Sequence, residues 1–254
     1  MGRPFVAGNW KMNLTRVEAE KLIRALRDRL GGDTPIDVGV CPPFPLLFPV
    51  AEAIKGSQIA LGAQDVYFEE KGAFTGEVSP RQLLDAGCTC VIVGHSERRH
   101  VLGEPGALLA KKARAAQKAG LHVIYCVGET LAEREADQTE AVLERQIQDV
   151  FGPDVDLAGV TVAYEPVWAI GTGKNATAGQ AQEAHAFIRN RLSKVYNTGL
   201  ASALRIQYGG SVKPSNAKEL MAQPDVDGAL VGGASLDADD FAGIIEATIE
   251  AKGL

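Results

Sequence analysis

Apolar positions along this chain gather in short, near-continuous runs rather than alternating ones. There are eight: Phe5–Asn9, Val38–Cys41, Ile59–Ala63, Cys90–Val93, His122–Val127, Val160–Tyr164, Arg205–Tyr208 and Ala229–Val231. Such runs predict parallel strands buried on both faces. The stretches between them carry a helical period. Thr15-Arg16-Val17-Glu18 has the form of a capping box, and Val17, Leu22, Leu26 and Leu30 follow at helical spacing. Ser79-Pro80-Arg81-Gln82 is a second box, with Pro80 at a position where its missing N–H costs nothing. Thr177-Ala178-Gly179-Gln180 is a third, ahead of Ala181, Ala184, Ile188 and Leu192. Asp237 and Asp240 suit the start of a last helix through Ile244, Ile245 and Ile249.

Eight strand–helix units, with no linker-like or low-complexity tract between them, predict an α/β chain. The expected fold is a single-domain (β/α)8 barrel over residues 1–254, with an open doubly wound sheet as the competing arrangement. A barrel gathers function at the C-terminal ends of its strands, so distant segments can be read as one mouth.

Composition narrows the picture. The chain has 254 residues, 46% hydrophobic and 23% charged, which suits a globular protein with a large core. Its formal charge of −6 gives no general basic footprint for nucleic acid. No apolar run approaches the roughly 18–20 residues that span a membrane. Met1-Gly2-Arg3-Pro4 opens without a signal-peptide pattern, so the expected location is cytoplasmic. Cys41, Cys88, Cys90 and Cys126 form no Cys-x-x-Cys pair and read as small buried hydrophobes in a reducing compartment.

The candidate chemistry stands just after the runs. The sixth ends in a lone carboxylate, Glu165. A stiff Pro166-Val167-Trp168 follows, then Ile170 and a small-residue tip, Gly171-Thr172-Gly173. That order reads as a base at a strand end beneath a lid. Asn9, Lys11 and Asn13 follow the first run, His95-Ser96-Glu97 the fourth and Glu129 the fifth. Gly209-Gly210-Ser211 and Gly232-Gly233 follow the seventh and eighth. Glycines let backbone N–H groups approach an anion, and these two loops are the usual phosphate site of a barrel. Lys11 reads as an electrostatic clamp near that site, paired with Glu97. His100, His122 and His185 read as surface or packing residues.

Other chemistries fit less well. Gly171-Thr172-Gly173-Lys174 fails as a P-loop because Trp168 and Asn175 break the pattern, and Ala176 breaks Gly-x-Gly-x-x-Gly, so no nucleotide cofactor is implied. No His pair stands at i and i+4, and the Pro-Cys-x-x-Cys of a zinc deaminase is absent, so no metal is expected. The fifth and sixth runs hold no lysine for a Schiff base. A carboxylate base, an imidazole, a cation and a phosphate cradle together suit proton abstraction beside the carbonyl of a small phosphorylated sugar. A lid would keep water from the enediolate.

Asn9-Trp10-Lys11-Met12-Asn13, the stretch from Gly94 to Arg99, the stretch from Ala163 to Lys174, Tyr208–Ser211 and Leu230–Gly233 complete the pattern. With these motifs in order, the chain resembles the triosephosphate isomerase family over essentially its full length. The resemblance implies a TIM barrel that interconverts dihydroxyacetone phosphate and D-glyceraldehyde 3-phosphate in glycolysis and gluconeogenesis, without a cofactor. It implies that Glu165 is the base, that His95 polarises the carbonyl as a neutral imidazole, and that Lys11 and Asn9 stabilise the oxyanion with Glu97 in support. The N–H groups of Gly171, Ser211 and Gly233 would bind phosphate, with Gly232 alongside. Ile170 and Leu230 would close over the base and raise its basicity by drying it. The segment from Pro166 to Lys174, including Thr172 and Gly173, would be the lid. The resemblance also implies a homodimer through the loop Gln64–Glu77, with Thr75 reaching the partner's site, and an Arg189–Asp225 pair joining the last third of the barrel. Leu102 stands where many members have an aromatic residue. Two readings compete: another cofactor-free phosphosugar barrel enzyme, and a barrel with a non-enzymatic binding role.

Overall fold

The structure is a computed structural model in which residues 2–152, 155–170 and 176–254 are described. Eight parallel strands close into a barrel in sequence order: β1 Phe5–Asn9, β2 Asp37–Cys41, β3 Ile59–Ala63, β4 Cys90–Val93, β5 His122–Val127, β6 Val160–Tyr164, β7 Arg205–Tyr208 and β8 Gly228–Val231. The apolar runs mark these strands closely. Only Asp37 and Gly228 lie outside them, and neither is an apolar side chain that a hydrophobic pattern would register.

Alternation along the strands sorts the buried residues into two cores. Phe5, Ala7, Cys41, Cys90, Ile92, Ile124, Cys126, Ala163 and Leu230 form the smaller cluster. Val6, Val38, Val40, Val91, Val123, Val162, Tyr164, Ile206 and Tyr208 pack instead in the large cluster that includes the helices. This parity positions the site. Asn9 follows Phe5 and Ala7 in phase, and Glu165 follows Ala163, so both continue the inner rows into the mouth. All four cysteines are free and buried.

The caps form with one difference. Ser79 and Thr177 each accept the N–H of the residue three ahead, from Gln82 at 3.3 Å and Gln180 at 3.2 Å. At Thr15 only the reciprocal half forms, with the Thr15 N–H donating to Glu18 at 2.7 Å. Arg189 pairs with Asp225 as expected and does more. It is mostly buried and donates to Asp225, Asp227 and the carbonyls of Ala201 and Leu204, so the pair is part of a larger hub.

Candidate active site

A cavity of about 730 Å³ opens at the C-terminal ends of the strands. It brings together Asn9, Lys11, His95, Glu165, Ile170, Ser211, Leu230, Gly232 and Gly233, which are up to 224 residues apart in sequence. Glu97 reaches it through Lys11. Pro166 precedes a short 3-10 turn, Val167–Ala169, which packs inward rather than lining the cavity. Gly171, Thr172, Gly173, Lys174 and Asn175 lie outside the described residues.

Each polar group is held by its own local structure. Lys11 has φ of 52°, a left-handed conformation that costs a non-glycine residue about 1–3 kcal/mol. Three hydrogen bonds hold it there: Lys11 N–H donates to Asn9 Oδ1 at 3.0 Å, and the Gln64 amide donates to the carbonyls of Lys11 and Cys41, both at 2.8 Å. Its Nζ then donates to Glu97 Oε1 at 2.8 Å. Gly94, with φ of 77°, turns the chain out of β4. His95 follows as the N-cap of a short helix, Ser96–His100.

At that helix start His95 Nδ1 accepts the Glu97 N–H at 3.3 Å. A proton on Nδ1 would have to displace that donor, so the ring proton sits on Nε2, 2.9 Å from Glu165 Oε1. The other Glu165 oxygen accepts the Ser96 N–H at 2.8 Å. Burial raises the proton affinity of Glu165, but His95, the Ser96 N–H and Lys11 outweigh it and hold the carboxyl below its ordinary range. Burial likewise lowers that of His95, and the Glu165 and Glu97 carboxylates turn the net direction upward. In this conformation, therefore, Glu165 is a weaker base than an ordinary carboxylate. The drying expected to strengthen it is present as burial, but its hydrogen bonds dominate.

Gly209 has a packing reason as well as an anion-binding one. A Cβ there would lie 2.8 Å from Glu165 Cγ, so the base rests across it.

Sequence reasoning named Glu129 as a strand-end residue without finding its role. It is fully buried. It accepts from Tyr164 OH at 3.1 Å, Trp168 Nε1 at 2.9 Å and Arg134 at 3.0 Å. Its carbonyl takes the Val167 N–H at 3.1 Å. Glu129 thus anchors the segment that follows Glu165. The Ser96 N–H was also missed, being backbone; the helix start after His95 was the available signal. Among the described residues no set of three His, Cys, Asp or Glu side chains converges as a metal site.

The loop Gln64–Glu77 leaves the same end of the barrel. Asp65 and Val66 are buried, and Tyr67 stacks on Phe68 and Phe74 with centroids at 4.4 and 4.7 Å. Large apolar side chains stand exposed after the first four strands, among them Met12, Val17, Phe48, Phe74, Val101 and Leu102.

The family model described as triosephosphate isomerase matches residues 4–248. The chain is 55% identical over 251 residues to the triosephosphate isomerase of Carboxydothermus hydrogenoformans, covering 98% of this chain and 100% of that protein. It is 53% identical over 247 residues to that of Rhodopirellula baltica, covering 96% and 97%. Against that of Moorella thermoacetica it is 56% identical over 247 residues, covering 96% and 98%.

Proposed function

The chain belongs to the triosephosphate isomerase family, and we propose that it interconverts dihydroxyacetone phosphate and D-glyceraldehyde 3-phosphate through an enediolate. The observation that carries this reading is the Glu165–His95 contact. A carboxylate lies 2.9 Å from an imidazole whose Nδ1 is occupied by a backbone N–H, in a cavity that also holds a lysine and two glycine loops.

In this reading Glu165 takes a proton from the carbon beside the carbonyl and returns it to the neighbouring carbon. His95 Nε2–H faces the carbonyl oxygen and moves a proton between the two oxygens, while Lys11 and Asn9 stabilise the negative charge. Ser211, Gly232 and Gly233 hold the phosphate. Because Ser96 N–H and His95 keep Glu165 weakly basic, substrate must draw the carboxylate away from both. Ile170 and Leu230 then supply apolar surface that keeps water from it. The Gly171 contact belongs to the same reading and lies outside the described residues.

The exposed apolar flank after β1–β4 supports a homodimer, in which the loop Gln64–Glu77 docks on a second copy and Thr75 reaches its site. Among the described residues no helix is long and apolar enough to cross a membrane. A cytoplasmic location accords with that and with the free cysteines.

The deciding experiment is a coupled assay of purified protein with glyceraldehyde 3-phosphate. Formation of dihydroxyacetone phosphate is expected, and its absence would overturn the reading. Light scattering is expected to give twice the mass of one chain, and a monomer would exclude the dimer.

A further inference from the structure

The chemistry above leaves His185 unused. It is fully buried on the helix Ala178–Val195. Its Nδ1 lies 3.1 Å from the carbonyl oxygen of Asp225, so Nδ1–H donates and Nε2 carries a lone pair, with no partner among the described residues. Burial lowers its pKa to about 4, so the ring is neutral at ordinary pH.

The ring touches two tyrosines. Tyr164 meets it at 86° with centroids 5.8 Å apart, and Tyr208 lies at 33° and 6.4 Å. These tyrosines are register partners at the ends of β6 and β7. Each is followed directly by a residue of the cavity, Glu165 or Gly209. The Tyr164 hydroxyl donates to Glu129, which also holds Trp168. The Tyr208 hydroxyl lies across Gly210, where a Cβ would meet it at 2.3 Å and Pro166 Cγ at 3.0 Å. It approaches the Ala176 backbone without a hydrogen bond of good geometry. One ring therefore stands under both the base and one of the two glycine loops.

We propose that His185 is a positioning residue for this site, its flat neutral ring setting Tyr164 and Tyr208 and through them Glu165 and the Gly209-Gly210-Ser211 loop. The proposal rests on reading that loop as the phosphate cradle. Two features of the side chain are separable. His185→Phe keeps a flat ring and loses the donor to Asp225. His185→Gln keeps a donor and loses the ring.

The test compares these variants in kcat, KM and the affinity for inorganic phosphate measured by calorimetry, with thermal midpoints for each. His185→Gln is expected to weaken phosphate binding and raise KM by about tenfold, while His185→Phe stays within about threefold of wild type. Arg189→Lys loosens the same helix from Asp225 without touching either tyrosine. It is expected to lower the melting temperature and leave phosphate affinity unchanged. If His185→Gln does not fold, His185→Leu takes its place, with the same loss expected. Wild-type phosphate affinity in the ringless variant would overturn the proposal. So would an equal loss in His185→Phe, or in Arg189→Lys at matched destabilisation. Wild-type protein that binds phosphate but does not isomerise would refute the isomerase reading alone, and the calorimetric comparison would still decide the role of His185.

Discussion

Two imidazoles stand at opposite ends of adjacent strands and are set in opposite tautomers. His95 follows β4 at the mouth, where Nδ1 takes a backbone N–H and Nε2–H points at Glu165. His122 opens β5 on the barrel floor. There Nε2 accepts from Arg205 at 3.2 Å and lies 2.8 Å from the Thr161 hydroxyl, so its proton belongs on Nδ1. Burial and the Arg205 charge push His122 down to about 4. Burial also presses on His95, but carboxylates face it and its pKa moves up. The floor closes its charges on one another, with Arg205 also donating to Asp37 at 2.6 Å. The mouth pairs its groups as well, His95 with Glu165 and Lys11 with Glu97, but does so on the wall of a cavity where a substrate can draw them apart. The same residue type in the same barrel is structural or reactive according to which charge faces it and which nitrogen is already occupied.

The largest test of this contrast is Glu165→Gln, which removes the base at the mouth. It is expected to lower kcat by up to about 10⁴-fold with the circular dichroism spectrum unchanged. Unaltered turnover would remove Glu165 from the mechanism. His95→Gln takes away the imidazole N–H aimed at the cavity and is expected to lower kcat by about 10²–10³-fold. Inorganic phosphate should still inhibit it with a similar constant.

The floor is tested through stability. The unfolded chain protonates His122 near its ordinary 6.5, whereas the folded chain resists until about 4. Stability is therefore full above pH 6.5 and falls as pH drops towards 4, by up to about 3 kcal/mol from this group. Urea unfolding at several pH values measures that slope, and His122→Gln should make it less steep, with the share of His185 remaining, while leaving kcat at pH 7.5 unchanged. An equally steep slope in the variant would show that other groups set the acid limit.

The smallest effect is expected at the Lys11–Glu97 pair, whose side chains are 26% and 48% exposed. Glu97→Gln should change the unfolding free energy by less than about 1 kcal/mol, because solvent screens the pair. Its consequence should appear in KM, through a less fixed Lys11.

The strands and most caps were legible because they depend on neighbours. A buried parallel strand needs an apolar run, and a capping box needs two side chains three residues apart. Glu165, His95, Lys11 and the glycine pairs were legible because a barrel makes strand ends converge. Glu129 stood in the same kind of position, yet its role was hidden. Its partners Tyr164 and Trp168 lie 35 and 39 residues away, and no local pattern pairs a carboxylate with an indole at that distance. The Arg189–Asp225 pair was legible, but its extension to Asp227 and to the carbonyls of Ala201 and Leu204 was hidden for a similar reason, since further partners depend on what packs around a side chain.

By itself the sequence determined the order of strands and helices, the residues delivered to each strand end, and the absence of a nucleotide motif. Those properties follow from short-range periodicity and from residue identity. Tertiary structure alone decided the state of each delivered group. Glu165 is held below its ordinary pKa by an imidazole 70 residues away and the Ser96 N–H beside it, and the tautomer of His122 is set by a guanidinium 83 residues on. Proton affinity depends on distance and desolvation, and both come into being only when the chain closes into a barrel.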